Sequence, residues 1–221
     1  MAHKVNARAF RLATVHGSDA KWFGRKDTLK KFLEEDVKLR GFLLKKLKEA
    51  QVDHIDFERT NQNVTIIVHS AKPGVIIGRA GVGIEDLKKQ LLGEFYRGRR
   101  VTMNINVQEV SRPSLSATIV GQQIATDLEK RMPFRRVMKM AIERVMKAGA
   151  QGVRVKVGGR LNGAEIARDE TLSSGKIPLQ TLRADIDFSR TTAYTIFGTI
   201  GVKVWIYRGE IFEEKKKEQT D

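Results

Sequence analysis

The stretch AKPGVIIGRAGVGIEDLKKQL, residues 71–91, constrains the fold more than any other part of the chain. Glycines and a proline run directly into a segment where Ile84, Leu87 and Leu91 recur at helical spacing, with Glu85 four residues ahead of Lys89. Glycine removes the Cβ barrier to left-handed backbone and to close approach of another chain, so this is a tight loop at the mouth of an amphipathic helix. Two nucleotide-binding patterns fail here on spacing. A phosphate loop needs Gly-Lys-Ser/Thr where Gly83 is followed by Ile84, and a dinucleotide fingerprint needs Gly-x-Gly-x-x-Gly where the order is Gly78-x-x-Gly81-x-Gly83. What remains is Gly78-Arg79-Ala80-Gly81, with a cation at its tip and the free N–H groups of the next helix beside it. Ile76, Ile77 and Ile84 are candidate walls for a groove that takes unstacked bases. The alternative is a tight turn without a ligand.

The flanking sequence adds the elements that such a loop would need. Residues 28–50 have helical spacing, with Leu29, Leu33, Val37, Arg40, Leu44 and Leu47 as the stripe and a break expected near the acidic residues 34–36. HIDFER (54–59) and VTIIVH (64–69) alternate apolar and polar residues around the turn sequence TNQN, which predicts a hairpin. The helix after the loop is expected at about 82–92, and VTMNINV (101–107) reads as a further strand. Two strands before the loop and one after it, with helices between, form a small α+β domain with one covered face.

The charge balance names a class of partner. Lys and Arg number 41 against 26 Asp and Glu, a net +15 with pI near 10.1. Residues 1–110 hold 21 basic and 13 acidic residues and residues 111–221 hold 20 and 13, so the excess is spread over both halves. Such a chain is drawn to polyanions, nucleic acid first. Cysteine is absent, which removes disulfides, thiolate metal sites and cysteine nucleophiles. The first residues lack the apolar run and cleavage pattern of a secretory leader, and no window has the length of a membrane span. The Asn63-Val64-Thr65 acceptor pattern carries no weight without secretion. These features predict a soluble cytoplasmic protein that takes no small-molecule substrate.

SRPSL (111–115) marks the expected boundary, with Ser114 as the N-cap of a helix through Leu115, Ile119, Ile124 and Leu128. Pro133 suits the start of a second helix that stops at AGAQG (148–152). Alternating strands follow at 153–157, 182–188 and 200–207, and a glycine-rich connection at 158–168 contains the turn pair Asn162-Gly163. The expected organisation is therefore 1–110, 111–210 and a disordered tail at 211–221. In the second helix, Phe134, Val137, Met138, Ala141 and Val145 form one apolar face, while Arg135, Arg136 and Lys139 fall within an arc of about 100° opposite it. Glu143 lies in that arc and Lys147 extends it. The reading is a phosphate-tracking face rather than a plain solvated one. Met138, Met140 and Met146 read as packing residues.

The aromatic residues Trp22 and Phe23, near Lys21, Arg25 and Lys26, and Phe95-Tyr96, ahead of RGRR (97–100), are minor candidates for stacking bases. Trp205 and Tyr207 share a strand face and belong to a core or an interface. Enzyme signatures are missing. The histidines His3, His16, His54 and His69 are scattered without metal-ligand spacing, so neither a metal nor a cofactor is expected. Asp185 and Asp187 share a strand face and form the one candidate carboxylate pair, with ion pairing, Arg183 being close by, as the preferred reading.

With two strands before it and one after, Gly78-Arg79-Ala80-Gly81 is similar to the GXXG loop of a type II KH domain, which clamps single-stranded nucleic acid. KPGVIIGRAG, RMPFRRVMKMAI and, above all, the block from 159 to 210 extend the resemblance. Together they resemble the family of the third protein of the small ribosomal subunit, in its bacterial or organellar form, over nearly the whole chain. The resemblance implies an N-terminal type II KH domain followed by a C-terminal α+β domain with two helices packed on an antiparallel sheet. It implies a structural, non-enzymatic role in the subunit head, with small-subunit ribosomal RNA, mRNA and neighbouring head proteins as partners. Carried onto this chain, Lys72, Gly78, Arg79 and Gly81 belong to the KH loop, and Arg135, Arg136 and Lys139 face the incoming message at its entry. Lys4, Arg8, Arg11, Arg160, Arg168 and Arg183 are further candidate contacts to ribosomal RNA. Ala80 and Met140 stand where family members often carry basic residues. A free-standing KH-type RNA chaperone is the alternative reading.

Overall fold

The computed structural model describes residues 5–12, 14–60, 63–97 and 101–212. Lys4, most of the expected tail (213–221), and part of the TNQN turn and of RGRR lie outside these residues. The chain divides into two compact units, Ser18–Pro113 and a second built from Met1–Gly17 with Ser114–Asp221. The division after Pro113 lies close to the expected boundary. The assignment of the first residues to the N-terminal domain is corrected, because they belong to the C-terminal unit.

In the unit Ser18–Pro113, β1 (Ala20–Lys21), β2 (Val52–Arg59), β3 (Asn63–Ser70) and β4 (Thr102–Glu109) form a sheet in that spatial order. β2 and β3 are the expected hairpin, and β4 runs parallel to β3. Parallel neighbours need a crossover. α2 (Pro73–Ile77), the glycine loop and α3 (Val82–Phe95) supply it, while α1 (Lys26–Lys46) covers the same face.

α1 departs from the expectation in two respects. It runs unbroken through the acidic residues 34–36, and its buried face carries Asp36, Leu39 and Leu43, continuing to Leu47. Of the expected stripe, Leu29, Leu33, Val37 and Leu44 are exposed, Arg40 is half-buried and Leu47 alone is buried. The helix is apolar on two sides, and Asp36 selects the face. Its carboxylate accepts from Trp22 Nε1 at 2.7 Å and pairs with Arg59 at 2.5 Å. Arg59 also pairs with Glu35 at 2.7 Å. Burial pushes the Asp36 carboxyl above its usual pKa against the pull of Arg59. Removing one partner of such a buried pair strands the other charge and costs about 3–5 kcal/mol.

In the C-terminal unit, α4 (Ala117–Glu129) and α5 (Phe134–Lys147) pack on an antiparallel sheet of β5 (Gly152–Gly159), β6 (Arg168–Gly175), β7 (Ala184–Thr195) and β8 (Gly198–Glu210), ordered β6-β5-β8-β7. β6 begins where the expected connection (158–168) ends, in a stretch for which the sequence pattern predicts no strand. Its sequence RDETLSSG has one large apolar residue, Leu172, and it sits at a sheet edge where polar residues are tolerated. The N-cap of α4 is Ser116 rather than Ser114. The Ser116 hydroxyl accepts from Ile119 N at 3.2 Å, and Pro113–Leu115 forms a preceding 3-10 turn.

Residues 204–207 of β8 are buried without alternation because both sheet faces are covered. The helices cover one face. Ala7, Ala184 and Ile186 pack with Trp205 and Tyr207 on the other, so these two aromatics are core. Arg11 fastens the N-terminal segment there. Its fully buried guanidinium donates to the carbonyls of Ala7 (2.8 Å), Leu179 (2.9 Å) and Thr181 (2.8 Å).

The buried phenol Tyr96 gives a test of the first unit. Burial pushes its pKa up from 10.0 to about 12. A raised folded-state pKa contributes stability that is full below pH 10 and is lost as the pH rises through 12. We expect one of the three tyrosines to ionise near pH 12 in an ultraviolet titration, with unfolding of Ser18–Pro113 in the same window.

Candidate nucleic-acid interface

α2 ends and α3 begins within six residues, and that turn is built from left-handed backbone. Gly78 has φ +69°, Ala80 +52° and Gly81 +84°. Gly83 serves a different purpose. A Cβ there would lie 2.6 Å from the Ile76 carbonyl oxygen, so only glycine lets the start of α3 close onto the end of α2. Nothing lies within 4 Å of a Cβ at Gly81, which is required for its φ alone. Lys72, Gly78 and Arg79 are exposed around this turn, and Gly81 is half-buried at the N-cap of α3. Of the expected groove walls, Ile76 is instead a core residue, while Ile77 and Ile84 remain partly open. We predict that Gly83→Ala costs about 1–3 kcal/mol by overpacking. Gly81→Ala costs about 1 kcal/mol from the left-handed backbone alone. Urea midpoints of the two variants give the order.

The stacking aromatics are corrected by the same unit. Trp22 packs edge-on to Phe32 and bonds Asp36, Phe95 packs edge-on to Phe42, and Tyr96 is buried. Only Phe23 is exposed.

In the C-terminal unit the apolar face of α5 is buried as expected, with Phe134, Val137, Met138, Ala141 and Val145 each at most 6% exposed. Met138 is core, and Met146 packs partly against it. The opposite face holds Arg135, Arg136, Lys139, Glu143 and Lys147 in solvent. The first turn of α5 carries no acidic residue and two arginines. Cations at the positive end of a helix dipole are unfavourable by about 0.3–1 kcal/mol each, so folding does not account for them. The structure adds Arg168, at the start of β6. Arg135 and Arg168 flank the Phe134 ring at 5.7 and 5.9 Å and share one anion, Glu170, at 3.6 and 4.0 Å. Among the described residues, Arg136 and Lys139 have no ion-pair partner.

The other candidate cations are placed differently. Arg11 is consumed in the core, which removes it as an RNA contact. Arg183 pairs with Glu210 at 2.6 Å, and Arg8 is half-buried. Arg160 is exposed, with Nε donating to the Ala164 carbonyl at 2.9 Å.

The carboxylate pair is structural. Asp187 accepts from Ala117 N at 2.7 Å, at the start of α4, and from Phe188 N at 2.9 Å, and pairs with Arg208 at 3.2 Å. Asp185 lies 3.7 Å from Arg208 and 3.6 Å from His16, so the partner is Arg208 rather than Arg183.

Two histidines expected to be scattered are brought together. His54 and His69 face each other across β2 and β3 and stack at 4.0 Å with 11° between planes. With Asp56, their donor atoms lie within 4.8 Å of one another. The lone pairs of two nearly parallel rings run side by side, whereas a tetrahedral ion needs them to converge. As arranged, the rings sit beside carboxylates: His69 lies 3.5 Å from Asp56 and His54 3.0 Å from Asp53. Burial, and then His54, lower the His69 pKa below 6.5 despite Asp56. The unfolded chain therefore binds the proton more tightly, and stability falls as the pH drops through 6.5 towards the folded-state value. His69→Gln is expected to flatten that dependence in urea melts between pH 5 and 7.

A glycine loop between two helices in the crossover from β3 to parallel β4, followed by a unit bearing a basic helix, defines a KH-domain protein of two units. Residues 38–115 match the model of the KH domain, and residues 124–206 match that of the ribosomal protein S3 C-terminal domain. The chain is 49% identical over 215 residues to the small ribosomal subunit protein uS3 of Desulforudis audaxviator, covering 97% of both chains. It is 47% identical over 220 residues to that of Leuconostoc citreum, covering 98% of this chain and 99% of the relative. Identity to the Oenococcus oeni protein is 47% over 213 residues, 95% of this chain and 80% of the relative. The chain belongs to the ribosomal protein S3 family.

Proposed function

We propose that this chain is a non-enzymatic structural component of the small ribosomal subunit that binds ribosomal RNA. In this reading Arg135, Arg136 and Lys139 guide incoming mRNA at its entry. The observation that carries it is the basic row on α5, which is held on a helix whose other face is buried, has one anion near its N-terminal end, and is unexplained by folding. The names of the relatives support placement in the small subunit, and the KH unit supports RNA as the ligand. Neighbouring head proteins and the cytoplasm follow from the same placement. Among the described residues no helix is long and apolar enough to cross a membrane.

The mechanism is electrostatic. Guanidinium and ammonium groups replace the counterions of a single strand, and the released ions supply the free energy. A row on a packed helix holds successive phosphates without reordering, which disfavours re-pairing of a strand as it is drawn past. The glycine loop brings one cation between its glycines, Arg79, and contributes backbone proximity more than charge.

Replacing Arg135, Arg136 and Lys139 together by Ala should leave co-sedimentation with small subunits intact. The slope of log affinity for single-stranded RNA against log salt should fall by about 2, and translation through a structured message should slow. Unchanged speed on such a message would remove the entry role. Sedimentation of the wild-type chain away from small subunits would favour an RNA chaperone instead.

A further inference from the structure

Three connections meet at one end of the C-terminal unit and enclose a cavity of about 350 Å³. They are the α4–α5 link with Arg131, Met132 and Pro133, the β5–β6 loop with Arg160 and Asn162, and the β7–β8 turn with Phe197. The volume is at the small end of ligand pockets, which run from about 300 to 1,000 Å³. It suits one flat heterocycle rather than a peptide segment.

The walls combine two chemistries. Met132, Pro133 and Phe197 are apolar, while Arg131, Arg160 and the Asn162 amide bring hydrogen-bonding groups to the same space. The backbone is shaped around it: Arg131 has φ +62° and Asn162 +54°, both left-handed. Such conformations are unfavourable for residues with a Cβ and persist where surrounding structure imposes them. Asn162 and Gly163 form the expected tight turn, with Ala164 N donating to the Leu161 carbonyl at 3.2 Å. A Cβ at Gly163 would lie 3.0 Å from the Phe197 ring, and the Arg160 guanidinium lies 5.9 Å from its centroid. The aromatic wall is thus braced by the loop opposite.

The β7–β8 turn is also unusual for a two-residue hairpin loop. Such turns favour Gly, Asn and Asp, yet this one displays Ile196 at 77% and Phe197 at 53% exposure. Exposed large apolar groups beside arginines mark a binding surface. The Arg131 side chain has no hydrogen-bond or ion-pair partner among the described residues.

The position of the cavity names its occupant. Pro133 lines it, and the next three residues are Phe134, Arg135 and Arg136, the start of the basic row. Lys139 follows one helical turn, about 5.4 Å, further along. A strand whose phosphates lie on that row would run past the N-terminal end of α5, where Pro133 lines the cavity.

We propose that this cavity is a nucleobase slot, which takes one unstacked base of the single strand held by the basic row. The proposal rests on the reading of the row given above and adds a base-binding site to it. The apolar walls take the base faces, and Arg131 and Asn162 meet its hydrogen-bonding edge. The slot makes the grip stepwise, since each base must leave before the next enters.

The test compares a short single-stranded RNA with the same strand carrying abasic residues, whose phosphates are unchanged, by fluorescence anisotropy on the full chain. Wild type is expected to bind the abasic strand about tenfold more weakly, within the range for one stacked base. Phe197→Ala should bind the intact strand about tenfold more weakly and no longer distinguish the two. Arg131→Ala, at an unpaired surface position, should reduce the ratio and guards against misfolding of the first variant. The triple Ala variant of the row should weaken both strands and keep their ratio. Equal wild-type binding of both strands, or a ratio unmoved by Phe197→Ala and Arg131→Ala, would overturn the slot and leave the row standing; a protein side chain would then be the better occupant. A row variant that binds both strands like wild type would instead overturn the row.

Discussion

Burial of one face of α5 is the constraint on which the candidate interface depends. Phe134, Val137, Met138 and Val145 are almost fully enclosed between the sheet and α4, and each side chain of that size contributes about 1.5–3 kcal/mol. Once that face is fixed, 3.6 residues per turn leave Arg135, Arg136 and Lys139 nowhere but solvent. The cations are therefore positioned by packing that they take no part in. Asp187, itself buried, completes the frame by holding the first N–H of α4 and the partly exposed Arg208 guanidinium, which ties the helix layer to β7 and β8.

The two units bring different physics to the same class of ligand. The glycine loop joins two helices through left-handed backbone and offers close approach with little charge. The basic row offers charge at a place where a helix disfavours it. Each breaks a local rule, and each break is stabilised from elsewhere: Gly83 lets two helix ends meet, and the α5 core carries two arginines at the positive end of a dipole. The cavity beside the row repeats the pattern, with left-handed Arg131 and Asn162 and an apolar turn facing water.

Much of this was legible along the chain. The β2–β3 hairpin, the loop and its helix, the faces of α5 and the order of both domains follow from local periodicity and turn chemistry. The exceptions share a cause. α1 is apolar on two sides, and Asp36, which looks like a break, marks the buried face because Trp22 and Arg59 reach it from 14 and 23 residues away. β6 has almost no apolar signal and exists because β5 offers a free edge. Arg11 looks like a phosphate contact and is a core residue, because three carbonyls, two of them some 170 residues on, replace water around it.

By itself the sequence determined the polyanion preference, the glycine loop and the two-faced character of α5, since net charge, backbone freedom and helical period are local quantities. Tertiary structure decided which cations remain free. It buried Arg11, paired Arg183, and set Arg168 beside Arg135 across one glutamate. It also turned Asp187 from a candidate acid into a fastening, and gathered three separate turns into one cavity. The physical reason is that partners and enclosure depend on residues distant along the chain, and the chain must fold before a charge or an aromatic ring has neighbours at all.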